Sequence, residues 1–225
     1  MGKNGFLIFL RICVTVSIIL TQGCSTRRLK TSPYQAALGC ADVTYYSHAS
    51  TQRIRFCILG DEGAPRGRTI AAYKVTLNGK TKRIYMDKDR GLNPWKIEIC
   101  ELNGDPEPEI AVGVYKSTRF FPGLDNRLYI YDWNGKFISP KWLGSRLALP
   151  FIDFKFLPYP DGIDRLVALE HDGEKFYLRL YNWNGFGFSS DEDAIMVESR
   201  EKGLEILKSL RNSEAWAEAR RRFGQ

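Results

Sequence analysis

Histidine is nearly missing from this 225-residue chain: His48 and His171 stand far apart, against 33 Lys and Arg and 26 Asp and Glu. That scarcity excludes a His-rich metal centre and a run of imidazole general bases. His171-Asp172-Gly173 reads as a turn between strands, not as a catalytic base. No Gly-x-Ser-x-Gly elbow, phosphate-cradling P-loop or dinucleotide-binding glycine pattern occurs, so the chain is not expected to be an enzyme of those kinds. Cysteine numbers five, none in paired Cys-x-x-Cys spacing, which excludes a zinc site of the finger or ribbon type. No uncharged apolar run approaches the ~20 residues of a membrane-spanning helix. What is present is an ordinary globular composition, 44% hydrophobic and 26% charged, enough for one substantial domain with its own core.

Residues 1–23 read as an export signal. Lys3 and Arg11 precede an uncharged run, Ile12 to Leu20, of the length of a signal-peptide core. Leu20-Thr21-Gln22-Gly23-Cys24 then resembles the lipobox of bacterial lipoproteins, with Gly23 and Cys24 in the expected places and Thr21 where Leu is commonest. The resemblance implies that Cys24 becomes the lipid-modified first residue of the mature protein. It would sit on the extracytoplasmic side of the cell membrane or outer membrane, since two or more acyl chains anchor stably. An ordinary secretory peptide or an uncleaved anchor is the alternative.

Residues 24–33 read as a tether carrying Arg27, Arg28 and Lys30. These charges either meet anionic headgroups, at about 1 kcal/mol each, or belong to a solvated linker. With Lys3 and Arg11 in the signal and Arg220, Arg221 and Arg222 at the far end, the net +7 does not describe one basic face. Nucleic acid is therefore not an expected partner. Cys40, Cys57 and Cys100 remain in the mature domain, compatible with one bridge and a buried thiol or with no bridge. Cys57 and Cys100 read as core residues first and as a bridge second.

Three segments share a strand, turn and strand pattern ending in Asn-Gly, across a repeat domain of residues 34–190. The first runs Arg53 to Leu59, then Thr69 to Leu77 and Asn78-Gly79. The second runs Trp95 to Leu102, Glu109 to Tyr115, Leu128 to Trp133 and Asn134-Gly135. The third runs Phe151 to Leu157, Arg165 to Glu170, Phe176 to Trp183 and Asn184-Gly185. Each Asn-Gly predicts a type I′ hairpin, in which both central residues take positive φ. Trp133 and Trp183 read as residues that pack one repeat on the next.

Glu101-Leu-Asn103-Gly-Asp105-Pro-Glu-Pro-Glu109-Ile110 resembles the loop of FG-GAP/VCBS β-propeller repeats, a pattern carried by bacterial lipoproteins of unassigned role. The resemblance covers roughly residues 50 to 190. It implies a mainly β fold of antiparallel propeller-like blades, with Glu101, Asn103, Asp105 and Glu109 as oxygen ligands for a possible Ca²⁺. Pro106 departs from the Gly of the pattern; the alternative is a rigid turn held by hydrogen bonds to the carboxylates. In the third repeat Leu157 and Tyr159 stand where the first ligands belong. Three repeats fall short of a closed ring. Either Tyr34 to Ser47 and the C-terminal segment complete a further blade, or the stack is open.

From residue 191 to 225 the pattern turns helical. Leu204, Leu207 and Leu210 line one side of a first helix and Ser213 is expected to cap a second. The insertion Lys116 to Asn126 places Arg119, Phe120 and Phe121 in a loop that either presents apolar surface to a partner or folds back over the sheet. The expected function is a non-catalytic, membrane-anchored module that binds a protein or glycan. The rivals are a carbohydrate-active enzyme or its inactive relative, and a structural subunit of an envelope complex.

Overall fold

A computed structural model describes residues 36–47, 50–144 and 146–224. The fold is mainly β: three antiparallel sheets followed by two short helices. The first sheet contains β1 (Ala36–Ser47), β2 (Ser50–Gly60), β3 (Thr69–Val75) and β4 (Thr81–Met86). The second contains β5 (Pro94–Cys100), β6 (Glu109–Lys116), β7 (Asp125–Trp133) and β8 (Ile138–Leu143). The third contains β9 (Phe151–Leu157), β10 (Arg165–Asp172), β11 (Lys175–Trp183) and β12 (Phe188–Ser189), with β13 (Ile195–Val197) also paired to β11. From β1 to β12, strands consecutive within a sheet are hydrogen-bonded neighbours; β13 alone departs from this order. The helices are α1 (Arg200–Ser209) and α2 (Ser213–Phe223).

Side-chain alternation explains how the sheets stack. On β6, Ile110, Val112 and Val114 point into a core shared with Ile54, Phe56, Ile58 and Ile70 of the first sheet. Ala111 between them points the other way, into a second core with Phe154, Phe156 and Leu166 of the third sheet. A strand buried on both faces must be apolar at every position, which is why Ile110 to Val114 reads as an unbroken apolar run. Gly113 is part of that geometry, since a Cβ there would lie 2.7 Å from the Trp95 ring and 3.0 Å from Phe154. The remaining face of the third sheet, with Leu169 and Leu178, is covered by Ile206, Leu207 and Trp216 of the helices. The first strands converge, β5 lying against both β1 and β9, and among the described residues no closed barrel forms.

Five sequence expectations are corrected. The segment ending at Ser47 founds no further blade: it is β1, the partner of β2 in the first sheet. Arg53 to Leu59 is therefore a second strand, and the turn after it, Gly60-Asp61-Glu62-Gly63, is not equivalent to the loops after β5 and β9. The Asn-Gly turns are not type I′, because Gly79, Gly135 and Gly185 take positive φ and their Asn neighbours do not. The Asn carbonyl does other work: Asn134 Oδ1 accepts the N–H groups of Lys136 and Phe137, both at 3.0 Å, and Asn184 holds Phe186 and Gly187 likewise. That side-chain bonding closes a longer turn with the Asn at negative φ.

Strand pairing also continues to Val197, past the expected end at residue 190, so α1 starts only at Arg200 behind the cap Ser199. The second helix is capped by Asn212, whose side chain accepts the N–H of Ala215, and not by Ser213. Leu207 and Leu210 are buried as expected, with Leu204 partly so.

Candidate functional site

The loop between β5 and β6 is built from its own carboxylates. Glu101 Oε1 accepts the N–H of Asn103 at 3.1 Å and of Gly104 at 2.7 Å. Asn103 Nδ2 donates to Asp105 Oδ2 at 2.6 Å, and Asp105 Oδ1 accepts the N–H of Glu107 at 2.7 Å. Glu109 is fully buried at the start of β6; its Oε2 accepts the Leu102 N–H at 2.9 Å and its Oε1 is bound by Lys141 of β8. Burial pushes the Glu109 carboxyl above the usual carboxylate range, against the pull of Lys141.

Among the described residues no group of three or more His, Cys, Asp or Glu side chains is arranged to hold a metal ion. The four expected Ca²⁺ ligands do not fit as a set, because Lys141 occupies the Glu109 carboxylate. Their oxygens hold the turn. The loop is also clipped to the third sheet, as Glu101 N–H donates to Asp164 Oδ2 at 3.0 Å and Asp164 N–H to Glu101 O at 2.7 Å. Asp164 lies in the degenerate third loop, where the sequence pattern offered no reason to single it out.

The insertion between β6 and β7 splits the two Phe. Phe120 is 76% exposed beside the exposed Arg119, with Leu124 63% exposed in the same loop. Phe121 folds back instead, its ring beneath the Arg146 guanidinium at 4.7 Å and that of Arg127 at 5.8 Å. Two bonds fix the division: Thr118 N–H donates to Phe121 O at 2.9 Å, and Phe121 N–H to Thr118 Oγ1 at 3.1 Å. The tryptophans pack between sheets: Trp133 meets Phe56 edge-on at 5.3 Å, and Trp183 meets Trp142 of β8 edge-on at 6.4 Å.

Cys40 and Cys57 face each other across β1 and β2, with Cα atoms 4.1 Å apart, and form a disulfide. Cys57 is thus both a core residue and half of a bridge. Cys100 is free and buried, and burial drives its thiol pKa well up, which makes it a poor nucleophile. Cys24, the tether and His48 lie outside the described residues.

The sequence assigned two further sets no role. Glu170, fully buried on β10, is bound by Arg179 Nε at 2.9 Å and by the Tyr181 hydroxyl, a pairing that strand spacing alone does not reveal. Tyr129 and Tyr131 sit two apart on β7 and line a cavity between the second sheet and the link from β4 to β5. Their shared strand face was the available signal. Among the described residues no helix is long and apolar enough to cross a membrane. No protein-family model matches this chain, and neither does any curated protein.

Proposed function

We propose that this protein is a lipid-anchored envelope module, tethered through Cys24 on the extracytoplasmic side of a membrane, that binds a protein or glycan without catalysis. The observation that carries the proposal is the use of cysteine. A disulfide between Cys40 and Cys57 belongs to an oxidising compartment. With Cys40 and Cys57 bridged and Cys100 buried, no cysteine among the described residues is open to modification, which leaves the lipobox-like Cys24 as the candidate. The meander order of each sheet and the meeting of β1, β5 and β9 support a finer proposal, that the three sheets are blades of an open, propeller-like stack.

The anchor is tested in cells. Globomycin is expected to block removal of residues 1–23, and Cys24→Ala to abolish labelling by radioactive palmitate. Signal removal that ignores globomycin, together with label retained in the Cys24→Ala protein, sinks the proposal.

A further inference from the structure

The core shared by the first and second sheets opens at one rim into a cavity of about 250 Å³. Its floor is Tyr129 and Tyr131 of β7, their rings edge to face with centroids 6.4 Å apart. Pro140 and Leu143 of β8 form one wall, and the link from β4 to β5 forms the other through Asp87, Arg90 and Leu92. That link is held in shape by Asn93, which takes a φ of 48° and donates from Nδ2 to Tyr115 O at 3.1 Å. Lys116, the last residue of β6, closes the site.

Two features distinguish this cavity from a packing gap. Tyr129 and Tyr131 are only 6% and 5% exposed, yet neither hydroxyl has a hydrogen-bond partner among the described residues. Neither is among the sealed, unbonded polar atoms, so both hydroxyls open to the cavity, where water or a ligand can bond them. Burial pushes both phenols above their ordinary pKa, so each keeps its proton and remains a donor. The second feature is charge: Lys116 has no ion-pair partner among the described residues, while Arg90 is paired with Asp87 at 3.3 Å.

We propose that this cavity binds one acidic sugar unit, a uronic-acid-like ring, with its carboxylate against Lys116 and its ring hydroxyls on Tyr129 and Tyr131. The volume lies just under the ~300–1,000 Å³ typical of drug-sized ligands, which suits a single ring. A purely apolar ligand leaves both phenols unbonded, and a bare inorganic anion leaves Leu92, Pro140 and Leu143 uncovered. A hydroxylated ring with an apolar face and one acid group answers all three surfaces. The inference names a ligand for the module proposed above and rests on that reading for its cellular setting alone.

The test is titration of the full chain, purified in detergent, with D-glucuronic acid, using D-glucose and inorganic phosphate as comparison probes, followed by saturation-transfer NMR. Glucuronic acid is expected to saturate at concentrations about tenfold lower than either comparison. Lys116→Met is expected to reduce its affinity to that of glucose. Tyr131→Phe is expected to weaken binding about fivefold with no fall in Tm, since the lost hydroxyl had no protein partner. Phosphate binding as well as glucuronic acid, or a Tyr131→Phe protein that binds undiminished, overturns the site. The anchor is judged separately: Cys24→Ala leaves sugar binding intact, so loss of palmitate labelling and loss of glucuronate binding report on different proposals.

Discussion

Replacing Glu109 by Ala leaves the ammonium of Lys141, whose side chain is 19% exposed, with Asp132 alone at 3.2 Å, and leaves the Leu102 N–H without its acceptor. Removing one partner of a buried pair costs about 3 kcal/mol, and urea denaturation of Glu109→Ala is expected to show a loss of that order. The surface pair on β1 and β2 behaves differently. The hydrogen bonds of Arg55, joined by those of Arg53, hold the Asp42 carboxyl at about 2. A depressed folded-state pKa stabilises above the unfolded value, ~3.9, and that contribution vanishes as pH falls through the folded one. Asp42→Asn is therefore expected to melt below the wild type at neutral pH, with the gap closing as pH drops from about 4 to about 2. At this scale the sequence exposed the identity of the loop carboxylates but not their partners. Lys141 lies 32 residues from Glu109, and nothing in local spacing announces it.

At the scale of elements, the Cys40–Cys57 bridge closes a loop of 17 residues. Loop-closure entropy makes such a bridge worth about 3 kcal/mol, so a Cys40→Ala, Cys57→Ala protein is expected to lose that much in a denaturant titration. Gly203 sets two effects against each other. Alanine is the better helix former by about 1 kcal/mol, yet its Cβ would overlap Leu169 and lie 3.2 Å from Val197. Overpacking at about 1–3 kcal/mol outweighs the gain, and Gly203→Ala is expected to be less stable by about 1 kcal/mol in the same measurement. Strand existence was legible because aromatic and β-branched residues fill the runs around the Asn-Gly pairs. The turn type was not, since Asn side-chain bonding replaced the backbone geometry that an Asn-Gly pair favours. The frame of the first repeat was also hidden, because β1, with Gly39, Cys40 and Asp42 in its first seven residues, lacks the apolar run that marks β6 and β10.

For the whole molecule, the asymmetry of the stack matters more than any single contact. One outer face lies under α1 and α2, while the outer face of the first sheet carries only a small cluster of Cys57, Leu59 and Ala71 with Tyr73 and Met86 beside it. Deleting residues 200–225 uncovers Leu169, Leu178 and Val197, and the truncated protein is expected to elute from size exclusion as aggregate. The layered β architecture followed from composition and repeats. The proposed sugar cavity could not, because Tyr129, Lys116 and Arg90 come from three separate segments, β7, the end of β6 and the link from β4 to β5.

The bridge between β1 and β2 has a mechanical consequence. Ala36 lies opposite Gly60 and Cys40 opposite Cys57, so a force applied from the amino-terminal side reaches the sheet at the open end of an antiparallel ladder. Such a load unzips hydrogen bonds one after another. Here it meets a covalent stop at the fifth residue of the strand, and the traction passes into β2 instead of peeling β1 away.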